Sequence, residues 1–259
     1  MASVLETRGL TKTFGALTAA AEINVRIEEG TMVGLIGGNG AGKTTFLNLV
    51  TGYLLPTSGT IQYAGRDITG LSPREITRLG ICRSFQIPQL FDTLSSYENV
   101  RVGLGIVALG KRALAGTALE GRTVEAAADQ MLQQFRLAPF RDVPANQLPE
   151  GVRKLLDIAM AMVVKPRLLL LDEPTSGVSA EEKFGLMDLV LGAIRAERVT
   201  VLFVEHDMEI VRRYAERVIA FYDGRTIADG PPAEVLDDPG VRRYVVGEPA
   251  RIAPKESAC

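Results

Sequence analysis

The chain has 259 residues, enough at about 150 residues per domain for one large or two small domains with a well-buried core. Hydrophobic residues make up 46% and charged residues 23%, which excludes disordered and fibrous classes. Lysine and arginine number 29 against 31 acidic residues, and the net charge of −2 lacks the basic excess expected of a protein that wraps nucleic acid.

Taken in chain order, the first ten residues already carry Glu6 and Arg8, which break any secretory apolar core. Val4-Leu5 reads as strand. Ile23–Ile27 alternates as a strand with one wet face, and Met32–Ile36 is fully apolar, as in a strand buried on both faces. Gly37 to Thr44 follows, and then a helical run over 45–50. Strand signals recur at Ser58–Tyr63 and Ile81–Phe85, with Ser72-Pro73 between them as cap and first residue of a short helix. Ser95 and Glu98 form a capping-box pattern. Beyond it strand signals vanish to about Val164, and Thr123–Phe135 has helical spacing, so an all-helical insertion is expected. The apolar run Val102–Gly110 falls far short of the ~20 residues that span a bilayer, so a soluble chain reaching a membrane only through partners is expected. Strands resume at Arg167–Leu171, Val199–Glu205 and Arg217–Phe221. The doublets Arg212-Arg213 and Arg242-Arg243 read as solvated helix faces, and residues 247–259 as a loose tail. This alternation predicts an α/β fold with a mostly parallel sheet. Two cysteines, Cys82 and Cys259, form no framework or zinc pair, so a reduced, intracellular protein is expected; one histidine excludes a multi-histidine metal site.

Gly37-Gly38-Asn39-Gly40-Ala41-Gly42-Lys43-Thr44 fits GxxxxGK[ST], placed after a buried strand and before a helix. Its glycines allow backbone N–H groups to turn onto a polyphosphate at a helix N-terminus. Lys43 would reach the β- and γ-phosphates and the Thr44 hydroxyl would bind Mg²⁺. Four leucines, Leu168–Leu171, then lead into Asp172-Glu173 at the sheet edge where ligands of open α/β sheets gather. Beside a P-loop, Asp172 suits the Mg²⁺ water shell and Glu173 a general base for water; the plainer alternative is a helix cap. His206 ends the apolar strand before it and suits a γ-phosphate sensor, where the plainer alternative is a structural histidine.

These motifs resemble the nucleotide-binding subunits of ABC transporters over nearly the whole chain, and more narrowly the ATPase subunits of bacterial branched-chain amino acid importers. The narrower likeness rests on Leu10–Leu17, Gly65–Leu71, Gly80–Gln86, Glu205–Met208 and Ile227–Gly230. The resemblance implies a P-loop (RecA-like) ABC ATPase core over 1–87 and 165–246, with an N-terminal antiparallel β-subdomain and an inserted helical subdomain at 88–164. It implies that Phe14, if not a core residue, stacks on adenine, that Gly37 through Thr44 and Thr45 hold the nucleotide, and that Gln86 contacts Mg²⁺ and signals to the permease.

The family's LSGGQ hallmark is altered here to Leu148-Pro149-Glu150-Gly151-Val152. Pro149 replaces the serine whose hydroxyl would touch the γ-phosphate held by the opposite subunit, a loss of about 1.5–3 kcal/mol, though it suits the first turn of a helix. The Gly151 amide remains available. Glu150 adds a negative charge that Arg153 or Lys154 could offset. Ser176–Ser179 lacks the usual final aspartate of the D-loop, and Ser179 with Glu182 reads as a capping box; Gly38 replaces a common proline. With Lys43, Gln86, Asp172, Glu173 and His206 all present, ATP hydrolysis with Mg²⁺ is expected, slow or dependent on partners.

The resemblance implies a subunit at the cytoplasmic face of the inner (plasma) membrane that powers import of branched-chain or other hydrophobic amino acids. Its partners would be integral membrane permease subunits, a second ATPase subunit (identical or a paralogue) and, indirectly, an extracytoplasmic substrate-binding protein, with no nucleic acid. The alternatives are a lipid or lipopolysaccharide export ATPase and a weakly hydrolysing regulator. A soluble ABC ATPase of translation or repair would usually carry two cassettes or a long coiled coil, and this chain has neither.

Overall fold

In the computed structural model the described residues are 2–84, 88–115 and 121–247. The apolar runs become the centre of one sheet: β3 (Met32–Gly37), β7 (Leu168–Asp172), β8 (Thr200–Val204) and β9 (Arg217–Tyr222), flanked by β6 (Ile81–Ser84) and β10 (Arg225–Gly230), in the order β10-β9-β3-β8-β7-β6. All neighbours are parallel except β10, which returns antiparallel beside β9. The reason those strands lack polar alternation is visible in the packing. Leu169, Leu171, Val201 and Phe203 enter one core, while Leu168, Leu170, Leu202 and Val204 enter the other. Both faces are covered, so both parities must be apolar.

Helices cover the first face: α5 (Glu150–Met162), α6 (Lys183–Ala196) and α7 (Met208–Tyr214) contribute Leu156, Met187, Ile194 and Ile210. The second face is covered by α1 (Lys43–Val50), through Phe46 and Leu47, and by a separate antiparallel sheet. That sheet holds β1 (Ser3–Phe14), β2 (Leu17–Glu28), β4 (Ser58–Tyr63) and β5 (Arg66–Asp67) in the order β2-β1-β4-β5. In chain order α2 (Pro73–Leu79) leads into β6, α3 (Ser96–Ala115) and α4 (Gly121–Gln134) fall between β6 and β7 with α3 packed on α4 and α5, and α8 (Pro232–Asp237) follows β10.

The cap expected at Ser72 forms, and as a full capping box with Glu75, and the capping box expected at Ser95 forms too. Ser72 Oγ accepts the Glu75 N–H while Glu75 accepts the Ser72 N–H, and the Ser95–Glu98 pair repeats this before α3.

Three boundaries differ from expectation. The first two strands extend well beyond Val4-Leu5 and Ile23–Ile27, because their ladder continues through bulges into polar residues such as Thr11–Thr13. An edge strand, β10, has no counterpart in the sequence reading, since its side chains are exposed or half-buried throughout. Pro149 is the N-cap of α5 rather than a residue of its first turn: its ψ of 151° is extended, and the helix opens at Glu150. The tail from 248, including Cys259, lies outside the described residues, as do Phe85 and Gln86.

Cys82, buried in β6, has its thiol pushed up to about 12 by desolvation. In a Cys259→Ser background, iodoacetamide at pH 8 should modify Cys82 roughly a thousandfold more slowly in the folded protein than in urea, as read by mass spectrometry of its peptide. Comparable rates in both would contradict this burial.

Candidate nucleotide site

The carboxyl ends of β3, β6, β7 and β8 share one edge, at Gly37, Ser84, Asp172 and Val204, where open α/β sheets take ligands. The loop leaving β3 is held from behind by strands that come from both ends of the chain. A Cβ on Gly37 would lie 2.6 Å from the Phe221 carbonyl oxygen, and one on Gly42 2.8 Å from that of Ala19. Gly42 also takes φ 102° as the left-handed N-cap of α1, a conformation glycine adopts without steric cost. The Gly224 N–H donates to the Ala41 carbonyl at 3.0 Å, and the Gly224 carbonyl accepts from Ala21 N–H at 2.8 Å.

The first intrahelical bond runs from the Phe46 N–H to the Gly42 carbonyl at 2.8 Å, so the N–H groups of Lys43, Thr44 and Thr45 precede the ladder and have no intrahelical acceptor. The Lys43 ammonium donates to the carbonyls of Gly37 at 2.6 Å and Gly38 at 3.0 Å. Burial lowers its pKa, opposed by the charges of Glu173 and Asp172. Around it, positions 38 and 40 open onto empty space, where an added Cβ would meet nothing within 4 Å. Thr44 is exposed and Thr45 half-buried. Phe14, at the end of β1, is 48% exposed with the Lys12 ammonium 5.0 Å from its ring centroid; it is not a core residue.

Asp172 is buried and ion-paired. Its Oδ2 accepts from Arg83 at 2.5 Å, and the same guanidinium donates to Asn48 Oδ1 at 2.6 Å. Among the described residues no group of three or more His, Cys, Asp or Glu side chains could hold a metal. A metal here would therefore draw on at most two such side chains beside the Thr44 hydroxyl, phosphate oxygens and water, a ligand set that suits Mg²⁺.

Glu173 takes φ 51°, left-handed for a residue with a side chain. Its N–H donates to Val204 O at 3.0 Å, and its Oε1 lies 2.8 Å from His206 Nε2. Behind it, Glu205 accepts from the N–H and the hydroxyl of Thr175 at 3.0 and 2.7 Å. Burial raises the Glu205 pKa against those hydrogen bonds. A cleft of about 380 Å³ opens beside this pair, lined by Glu173, Thr175, Lys183, Glu205 and His206 among others.

Gly151 is the second residue of α5, in the turn whose N–H groups lack intrahelical acceptors. The Glu150 side chain packs beside Gly177, whose added Cβ would lie 3.4 Å from Glu150 Cγ. Of the two cations expected to offset Glu150, Arg153 turns away to Asp92 and the Ala145 carbonyl, both at 2.9 Å. Lys154 is buried among carboxylates that include Glu150, and donates to the Glu173 carbonyl at 3.0 Å. Its pKa is lowered by desolvation, against which those carboxylates pull. Ser179 Oγ accepts the Glu182 N–H at 3.3 Å and donates to its carboxylate at 2.9 Å, one turn before α6 begins at Lys183.

The structure thus brings Asp172, Glu173 and His206 to the sheet edge from which the P-loop rises. The sequence reading overlooked Arg83 as a partner of Asp172, although a lone cation in the apolar strand Ile81–Ser84 signals a buried ion pair. It also overlooked Asn48, Thr175 and Gly224, whose residue types carry no signal of their own.

Known proteins place the arrangement. A protein from Pseudomonas aeruginosa, the high-affinity branched-chain amino acid transport ATP-binding protein BraF, is 36% identical over 251 residues, covering 95% of this chain and 98% of its own. The LivG protein of Escherichia coli, named for the same transport, is 32% identical with the same coverage. The ADP conformation of MJ1267, an ATP-binding cassette of an ABC transporter, superposes with a TM-score of 0.83 at 30% identity, over 96% of this chain and all of that one. A dimeric post-hydrolysis cassette, MJ0796 bound to ADP and phosphate, gives 0.76 at 27% identity, over 88% of this chain and 98% of its own. Residues 20–176, which include the P-loop and the Asp172-Glu173 strand end, match the family model described as ABC transporter; the chain belongs to the ABC transporter family and has its nucleotide-binding ATPase fold.

Proposed function

We propose that this chain is the ATP-hydrolysing subunit that powers an importer of branched-chain or other hydrophobic amino acids. The observation that carries the reading is the Glu173–His206 contact at 2.8 Å on the sheet edge shared with the P-loop. The substrate class rests on relatives named for branched-chain amino acid transport.

In this reading Lys43 exchanges the Gly37 and Gly38 carbonyls for β- and γ-phosphate oxygens, and the N–H groups of residues 38–45 line the polyphosphate. Phe14 offers an exposed ring to adenine. Thr44 and Asp172, with Gln86, would hold Mg²⁺, which would neutralise the negative charge of the phosphates. Glu173 takes the proton of the attacking water, and His206, through its hydrogen bond to Glu173, aligns that carboxylate and senses the γ-phosphate. Two such chains, identical or paralogous, face each other so that Gly151 of one approaches the nucleotide of the other. Both dock under permease subunits at the cytoplasmic face of the membrane, and an extracytoplasmic binding protein delivers the cargo. No helix among the described residues is long and apolar enough to cross a membrane, consistent with attachment through partners. With Pro149 and Glu150 at the start of α5, turnover is slow in the isolated chain and rises in the assembled transporter.

The test is leucine uptake by liposomes holding the chain, its permease and its binding protein. Lys43→Ala should weaken ATP affinity about 10- to 100-fold, the loss of charge-assisted hydrogen bonds worth about 1.5–3 kcal/mol, and stop uptake. Turnover stimulated by lipid but not by amino acid would overturn the import reading in favour of lipid export. ATP binding undiminished in Lys43→Ala would overturn the site itself.

A further inference from the structure

Lys154 is only 5% exposed, and its ammonium hydrogen-bonds the carbonyl of Glu173. Three residues later on the same face of α5, Asp157, also buried, accepts the N–H of Gln89 at 3.0 Å. One helix therefore grips two segments of its own site: the peptide of the reactive carboxylate and the stretch that follows Gln86. The N-terminus of that helix carries Gly151.

A buried ammonium is costly unless it is paired, and an apolar side chain of similar length would fill the same space. The charge gains its meaning from what it holds. A non-glycine residue at positive φ persists only where its surroundings over-determine it. For Glu173 those restraints include its N–H bond to Val204, its side-chain contact with His206, and Lys154 on its carbonyl.

We propose that Lys154 is a positioning residue, fixing the Glu173 carboxylate of its own site to the helix that reaches the nucleotide of a second copy, so that engagement of one site aligns the other. The inference rests on the reading of Glu173 as the group that activates water.

The experiment compares Lys154→Met, Lys154→Arg and Glu173→Gln in the full-length chain purified with its permease, measuring turnover, ATP affinity without Mg²⁺, and the Hill coefficient for ATP. A misplacement of about an ångström costs on the order of 100-fold in rate. Lys154→Met should therefore lose about 10- to 100-fold in kcat, keep its ATP affinity within about twofold, and drop its Hill coefficient toward one. Lys154→Arg, which can still reach the carbonyl, should recover most of the loss. Normal kcat in Lys154→Met, or equal losses of kcat and affinity, would overturn the inference. Should the methionine variant fail to fold, Lys154→Gln takes its place: turnover well below that of Lys154→Arg at equal affinity supports the role, and equal turnover overturns it. An inactive Glu173→Gln beside a fully active Lys154→Met removes only the role of Lys154. An active Glu173→Gln removes the reading of Glu173 itself.

Discussion

Glu173→Gln should reduce ATP turnover by about 10²- to 10⁴-fold while leaving nucleotide affinity within about twofold. The substitution keeps the side chain's volume and a hydrogen-bonding partner for His206 Nε2, now 2.8 Å from Glu173 Oε1, but removes the basicity needed to take a proton from water. A factor of that size is about 2.7–5.5 kcal/mol on the barrier. The backbone supplies a control. Because Glu173 sits at φ 51°, Glu173→Gly relaxes the conformation as it removes the base, and should be equally inactive without loss of thermal stability. Single-turnover hydrolysis and equilibrium binding separate the two effects. Turnover within threefold of the parent in either variant would mean that another group activates the water.

The largest effect on stability should come from Arg83→Met. Arg83 and Asp172 have side chains only 6% and 7% exposed, and removing the guanidinium breaks this buried ion pair and leaves only the Lys43 charge near the carboxylate, at a cost of about 3–5 kcal/mol. For a chain of this length that lowers Tm by roughly 6–20 °C. The same argument sets the direction of two companion measurements. Pairing Arg83→Met with Asp172→Asn should recover part of the loss, because the carboxylate is gone as well. Mg²⁺ with ATP should raise the Tm of Arg83→Met more than that of the parent, since the metal brings positive charge to Asp172 in place of the lost guanidinium. A fall of less than about 1 kcal/mol in the single variant, measured by denaturant titration, would show that the pair contributes little.

Much of this architecture could be read from residue order. The doubly buried strands announced themselves as unbroken apolar runs, and the P-loop, the Asp172-Glu173 pair and His206 each followed such a run, so the pattern that located the sheet also located its carboxyl edge. The cap at Ser72 and the capping box at Ser95 were legible because their chemistry is local. Long-range chemistry was not. Arg83 meets Asp172 across neighbouring strands and Asn48 from α1, and no spacing rule joins positions so far apart. Lys154 presented itself as a neighbour of Glu150, whereas its hydrogen bond goes to a backbone carbonyl, an acceptor every residue possesses. The strand β10 escaped for the opposite reason: as an edge strand it has no face that must be wholly apolar.

The hydrogen bonds of Gly224 to Ala41 and Ala21 bear on how the protein is made. A nascent chain halted near residue 200 would already contain every P-loop residue, yet lack the brace that shapes the loop. ATP capture should therefore switch on late in synthesis, once the β9–β10 turn has left the ribosome and closed on a segment made nearly two hundred residues earlier.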